Sequence, residues 1–171
     1  MKGRWGVAVL LVMVLSIVPV GRLAAEEPTG FDMPLPTVES GEISLAQLRG
    51  KVVMVNFWAT WCPPCLEEIP TLVKIQEQYK DQGFIILGVT YMDRADRDTL
   101  VKFIRRMEIN YPIVYGDPLK IQKLASLLGG VMGLPNTKFL DRKGTVVRSH
   151  TGGLQVPLLR NLLEPLLDPP S

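Results

Sequence analysis

Apolar residues run without interruption through Val52-Val53-Met54-Val55 and, past the single polar Asn56, through Phe57-Trp58. A run that does not alternate belongs to a strand buried on both faces of a sheet. From about Pro64 the period changes. Leu66, Ile69, Leu72, Val73 and Tyr79 recur at helical spacing, with Gln76 as the exception, until Asp81-Gln82-Gly83 stops the helix. Phe84 to Thr90 is again continuously apolar and reads as a second buried strand. Strand, helix and strand make one βαβ unit, and the right-handed crossover rule sets the two strands side by side and parallel.

The segments on either side are shorter. Residues 26–36 are rich in Pro, Gly and acidic residues and read as a linker. Val38 to Leu48 reads as a small hairpin turning at Ser40-Gly41-Glu42, with Leu45 to Leu48 closing it in a helical turn before Gly50. After the βαβ unit, Asp96 or Asp98 caps a helix that carries Leu100, Val101, Ile104 and Met107 on one face. Tyr111 to Tyr115 is extended, and Ile121 to Leu128 is a helix ended by Gly129-Gly130. Thr137 to Asp141 and Thr145 to Ser149 are strands joined by Arg142-Lys143-Gly144, and Val156 to Leu167 is a terminal amphipathic helix. The elements predict one α/β domain over residues 37–168, with no internal repeat.

Composition changes the picture at the N-terminus. Lys2 and Arg4 precede an apolar run from Trp5 to Val20, and Gly21-Arg22-Leu23-Ala24-Ala25 supplies small residues for cleavage before Glu26. That run is 16 residues long, short of the roughly 20 that span a bilayer. Residues 1–25 are therefore expected to be a signal peptide cleaved after Ala25 or, if uncleaved, an N-terminal membrane anchor. The basic residues ahead of the run place the following domain on the far side of the membrane, in a bacterium the periplasm or the outer membrane face. No cysteine lies in this leader, which excludes a lipid-modified cysteine anchor.

The net charge of +2 includes Lys2, Arg4 and Arg22; without the leader, 16 basic residues face 17 acidic ones. A near-neutral domain with no basic stripe gives no reason to expect a nucleic-acid partner. Hydrophobic residues make up 47% of the chain, enough for a core without staples, and the two cysteines are too few for a disulfide framework. Their bond would close so small a loop that it could constrain little of the unfolded chain.

Those cysteines stand in Trp61-Cys62-Pro63-Pro64-Cys65, between a buried strand and the start of a helix. A Cys-x-x-Cys pair is informative in that setting. Unpaired N–H groups and the helix dipole favour an anion at a helix N-terminus, so the Cys62 thiol is expected to ionise below the ordinary value of about 8.5. Cys62 is then the exposed attacking sulfur, and Cys65, a turn further in, the resolving one. Pro63 and Pro64 suit a first turn that needs no intrahelical N–H, and they stiffen the loop. A tetrahedral metal site would need four ligands. The chain offers only these two cysteines and His150, which reads as a surface residue of a polar turn.

The stretch from Leu45 to Pro70, with Asn-Phe-Trp-Ala-Thr-Trp-Cys-Pro-Pro-Cys-Leu-Glu-Glu-Ile-Pro at its end, resembles the TlpA/ResA/CcmG group of exported thioredoxin-like proteins. The resemblance runs from about Pro34 to Leu166 and includes Gly133-Leu134-Pro135 followed by Phe139-Leu140-Asp141 and Gly144. It implies a thioredoxin fold, with a central mixed sheet flanked by helices, an N-terminal β-hairpin extension and an inserted βα segment. It also implies a cis peptide bond before Pro135, a groove wall made by Leu134 and Pro135, and a backbone at Leu134 that pairs with an extended substrate. Proline makes such a cis bond inexpensive. Trp61 would lie over the cysteine pair and Trp58 would pack deeper, their apolar surface offering a platform to partner proteins. Pro70, inside the helix, is a normal feature of this group.

Where cytoplasmic thioredoxins carry a buried aspartate, this chain has Asn56, which cannot ionise. Glu68 occupies the position of a glutamate in the ResA-like branch, and its i, i+3 spacing from Cys65 puts it on the same helix face. A carboxylate desolvated beside a thiol would titrate high and could shuttle the resolving cysteine's proton. Either Glu68 or its neighbour Glu67 faces the sulfurs.

The resulting expectation is a thiol–disulfide oxidoreductase that needs no cofactor beyond its own dithiol. The resemblance points to disulfide-bearing exported clients of cytochrome c maturation or copper-site assembly, and to a thiol electron donor in the membrane. An oxidant that donates its disulfide is the alternative within the same chemistry. A copper(I) chaperone using the same thiolates is the alternative from another class. A peroxidase would need an acid–base setting that the Cys-Pro-Pro-Cys pair does not supply. With no long apolar face beyond the site, a monomer is the expected state.

Overall fold

The computed structural model describes residues 30–39 and 41–167 of the chain. The expected leader, the first residues of the expected linker, Ser40 and the last four residues lie outside them. A five-stranded mixed sheet forms the centre, in the order β5-β4-β3-β6-β7. Its strands are β3 (Val52–Trp58), β4 (Phe84–Thr90), β5 (Ile113–Val114), β6 (Asn136–Leu140) and β7 (Val146–Thr151). β3, β4 and β5 are parallel, whereas β6 and β7 run antiparallel to their neighbours. This is the thioredoxin fold that the resemblance implies.

The two long apolar runs became the strands they predicted, residue for residue, and every residue of β3 is buried. Alternation divides that strand between two cores. Val52, Met54 and Trp58 face the layer of α1 (Pro63–Tyr79), α2 (Arg97–Arg106) and α4 (Val156–Leu167). Val53, Val55 and Phe57 face α3 (Pro118–Leu127) and the N-terminal segment. β5 and α3 form the inserted βα segment between α2 and the final β-hairpin. Gly88 lies at the crowded centre of β4, where a Cβ would stand 2.4 Å from Ile113 Cδ1 and 3.2 Å from Trp58 Nε1.

α1 begins with Cys62 as its N-cap and Pro63 in its first turn, and continues through Pro70. Gln76, the polar exception on its apolar stripe, is buried because its Oε1 accepts the Ile86 N–H of β4 at 2.7 Å. The helix runs into a 3-10 turn, Lys80–Gln82, stopped by Gly83 in the left-handed conformation at φ 76°. Asp96 is the cap of α2, its side chain accepting the Thr99 N–H at 2.8 Å.

Four expectations need correction. The segment read as a linker is part of the fold from Gly30 onward: a 3-10 turn, Gly30–Asp32, leads into β1 (Leu35–Pro36), and Leu35 is fully buried. The hairpin accordingly pairs β1 with β2 (Glu42–Ile43), its first strand lying before Val38. Two-residue strands carry too little alternation to be placed from a pattern. α3 starts at Pro118, three residues earlier than the apolar spacing indicates, because Asp117 caps it through the Leu119 N–H and proline takes the first turn. His150 sits in β7 opposite Thr137, not in a turn, since that strand extends to Thr151.

Candidate active site

β3 ends at Trp58 and α1 starts at Pro63, so the four residues between them are delivered to the carboxyl end of the parallel strands. Cys62, in an extended conformation at φ −98°, caps α1, and its carbonyl accepts the N–H groups of Cys65 and Leu66. Cys62 and Cys65 are joined in a disulfide with their Cα atoms 5.3 Å apart. Cys65 is 1% exposed, as its place inside the first turn requires. Cys62 is 4% exposed, so the expectation of an exposed sulfur is corrected: bonded to Cys65, it belongs to the buried cluster that also holds Trp58, Ala59 and Leu154.

The two tryptophans separate as expected. Trp58 is buried and stacks on Phe103 with ring centroids 5.2 Å apart. Trp61 is 60% exposed, and its Nε1 donates to the Met92 carbonyl at 3.2 Å. Pro63 and Pro64 are exposed beside it. The Leu134–Pro135 bond is cis; Pro135 is buried, and half-buried Leu134 packs against the cluster that holds both cysteines. Met92 and Met132 add exposed apolar side chains on the flanking loops.

Of the two adjacent glutamates, Glu67 is exposed and Glu68 is buried, at 4% exposure. Glu68 Oε1 accepts from Asn56 Nδ2 at 2.8 Å, and Oε2 accepts the Leu154 N–H at 2.9 Å. Burial raises its carboxyl to about 7, against the opposing pull of the Leu154 N–H and the Asn56 amide. The site therefore holds, one helical turn beyond Cys65, an acid that takes up and releases a proton near neutrality. Tyr111 is also driven up, first by burial and then by the Glu68 charge.

Two parts of this arrangement were not foreseen. The amide of Leu154, at the loop before α4, could not have been assigned from sequence because any residue carries a backbone N–H. The anchor of the active-site loop is the other. Asp93 Oδ2 accepts the Thr60 N–H at 2.6 Å, and Oδ1 accepts the Thr60 hydroxyl at 3.1 Å and the Ala95 N–H at 2.9 Å. Met92, at φ 52°, turns its carbonyl to Trp61 next to this clamp. A positive φ at a methionine carries no sequence signal. Among the described residues, no three His, Cys, Asp or Glu side chains converge as a metal site.

A vicinal cysteine pair at the head of a helix, on a sheet of this order, defines a class: the thioredoxin-fold thiol–disulfide oxidoreductases. Residues 28–149 match the AhpC/TSA family model, and the chain belongs to that family, on the branch of the ResA- and DsbE-type thiol–disulfide oxidoreductases. It is 33% identical over 141 residues to thiol-disulfide oxidoreductase ResA of Halalkalibacterium halodurans, covering 82% of this chain and 76% of the relative. It is 33% identical over 139 residues to the thiol:disulfide interchange protein DsbE of Pseudomonas aeruginosa, covering 80% and 71%. Among solved structures, a thioredoxin-family thiol:disulfide interchange protein of Chlorobium tepidum superposes with a TM-score of 0.69 at 28% identity, over 80% of this chain and 93% of that one. A secreted thiol-disulfide isomerase of Corynebacterium glutamicum superposes at 0.72 with 26% identity, over 80% and 84%.

Proposed function

We propose that this oxidoreductase works outside the cytoplasm as a reductant of disulfides in exported client proteins. The observation that carries the reading is the pairing of a helix-capping Cys62 with a buried, near-neutral acid, Glu68, one turn beyond Cys65. In the reduced protein the Cys62 thiolate, favoured by the α1 N-terminus, attacks one sulfur of a client disulfide. A mixed disulfide forms, and the other client sulfur leaves as a thiolate that takes a proton from water. Cys65 then gives its proton to Glu68 and attacks the Cys62 sulfur, which closes the Cys62–Cys65 bond and expels the second client thiolate. Two electrons have passed to the client. A membrane thiol donor returns them by the same exchange in reverse.

Trp61, Pro63, Pro64 and Leu134 form the client-facing surface, with buried Pro135 backing Leu134 and the Leu134 backbone offered to an extended peptide. The leader pattern of residues 1–25 and relatives such as the secreted isomerase support the location. The resemblance to the TlpA/ResA/CcmG group favours clients of cytochrome c maturation or copper-site assembly. No cofactor and no nucleic acid enters this scheme, and a monomer suffices for it.

Trapping tests it. A Cys65→Ser variant, expressed with its leader, should accumulate client proteins on Cys62 as mixed disulfides that dithiothreitol releases, and Cys62→Ser should trap none. Equal trapping by both variants, or none by Cys65→Ser, would overturn the reading.

A further inference from the structure

Asn56 is the one polar residue of β3, and it is 2% exposed in the middle of the sheet. A buried side-chain amide costs stability unless its hydrogen bonds are largely met. Both N–H bonds of Asn56 are used: one goes to Glu68 Oε1 at 2.8 Å and the other to Thr137 Oγ1 at 3.2 Å. With the Leu154 N–H on Oε2, each Glu68 oxygen accepts one amide N–H and keeps a lone pair for an arriving proton. The backbone donor is common to any sequence; the Asn56 amide is specific to this one.

We propose that Asn56 is a positioning residue for the exchange reaction: through Oε1 it holds the carboxylate of Glu68, one helical turn beyond Cys65, in place and so sets when Glu68 accepts the Cys65 proton. The proposal rests on the proton-accepting role given to Glu68 above. Four segments besides α1 are linked to that carboxylate, directly or through Asn56. β3 supplies Asn56, β6 supplies Thr137 through Asn56, and the loop before α4 supplies the Leu154 N–H. The segment before β5 supplies Tyr111, a neutral phenol whose ionisation is pushed up first by burial and then by the Glu68 charge. Lys138, next to Thr137 in β6, alternates to the other face of the sheet and donates to Ser149.

The pairing is also reversible in its hydrogen bonds. With aspartate at 56 and glutamine at 68, the glutamine amide can donate back across the same gap, its oxygen can accept the Leu154 N–H, and the Thr137 hydroxyl can donate to the aspartate. The acid then sits on the strand instead of the helix, with the contacts to position 56, Thr137 and the Leu154 N–H kept. A residue that merely fills the core would not let the acid be moved.

The test uses the full chain with carboxyl-labelled glutamate. It follows the Glu68 signal against pH by NMR. It also follows the closing of the mixed disulfide that Cys62 forms with a nitrobenzoate disulfide, read as release of the second chromophore. Removing the Asn56 donor takes away a bond that favours the charged carboxylate. Asn56→Ala should therefore move the Glu68 midpoint and the kinetic inflection upward together, by about one pH unit. Glu68→Gln should abolish the inflection and slow closing about 100-fold. Asn56→Asp combined with Glu68→Gln should restore an inflection and recover at least tenfold of that loss. An unmoved midpoint in a folded Asn56→Ala variant overturns the proposal. If that variant fails to fold, the swap decides alone: a doubly substituted protein no faster than Glu68→Gln overturns it. A Glu68→Gln variant that closes at the wild-type rate would instead sink the proton-accepting role of Glu68 itself.

Discussion

Glu68 ties the chemistry of the site to the stability of the chain. In the unfolded protein its carboxyl titrates near 4.5, and in the folded one burial lifts it to about 7. Between those values the folded state binds the extra proton, so the contribution of Glu68 to stability is fully present below pH 4.5 and is lost as pH rises through 7. A shift of this size corresponds to roughly 3 kcal/mol at its largest. Urea unfolding of the disulfide form at pH 4.5, 6 and 7.5 should show that decline in wild type and a flat profile in Glu68→Gln. A decline that persists in the glutamine variant would place its origin elsewhere. Spacing from Cys65 made Glu68 a candidate, but the choice between Glu67 and Glu68 required the direction in which α1 packs. A helical wheel narrows a residue to a face, and only the neighbouring sheet decides which edge of that face is buried.

The elements were legible in proportion to their length. β3, β4 and α4 appear with the bounds that their apolar patterns predict, because seven or more residues of one consistent pattern leave little room for another period. The short N-terminal strands and the start of α3 carry no such pattern, since their positions depend on a two-residue ladder and on an Asp-Pro cap. The active-site loop belongs to the illegible part. Thr60 is held by Asp93 across 33 residues of sequence, a contact that no local pattern encodes. Replacing Asp93 by alanine removes a charged acceptor from two groups of Thr60 and from the Ala95 N–H. It should lower the unfolding free energy by about 2 kcal/mol. It should also shift the Trp61 emission to the red as the loop loosens around the Met92 carbonyl and the exposed indole meets more water. Unchanged stability and emission would show that the clamp is dispensable.

At the scale of the molecule, one side chain gathers the edges of the fold. Arg142, in the turn between β6 and β7, donates to the carbonyls of Gly50, Gln82 and Leu167, joining the approach to β3, the end of α1 and the last turn of α4. Arg142→Ala should speed hydrogen exchange in the C-terminal half of α4 and leave β3 and β4 protected, because the central strands are held by their own ladders. This separation between a periphery fixed by side chains and a centre fixed by apolar strands keeps the dithiol on rigid support. The proposed activity requires that dithiol to cycle between two states. Its most direct test is the reduction potential of the chain, titrated in dithiothreitol and glutathione buffers and read by thiol trapping at Cys62 and Cys65. As a disulfide reductant, the chain should show a single two-electron transition near or below about −250 mV, at the reducing end of the thioredoxin range. A transition above roughly −150 mV would contradict it and make the protein a disulfide donor.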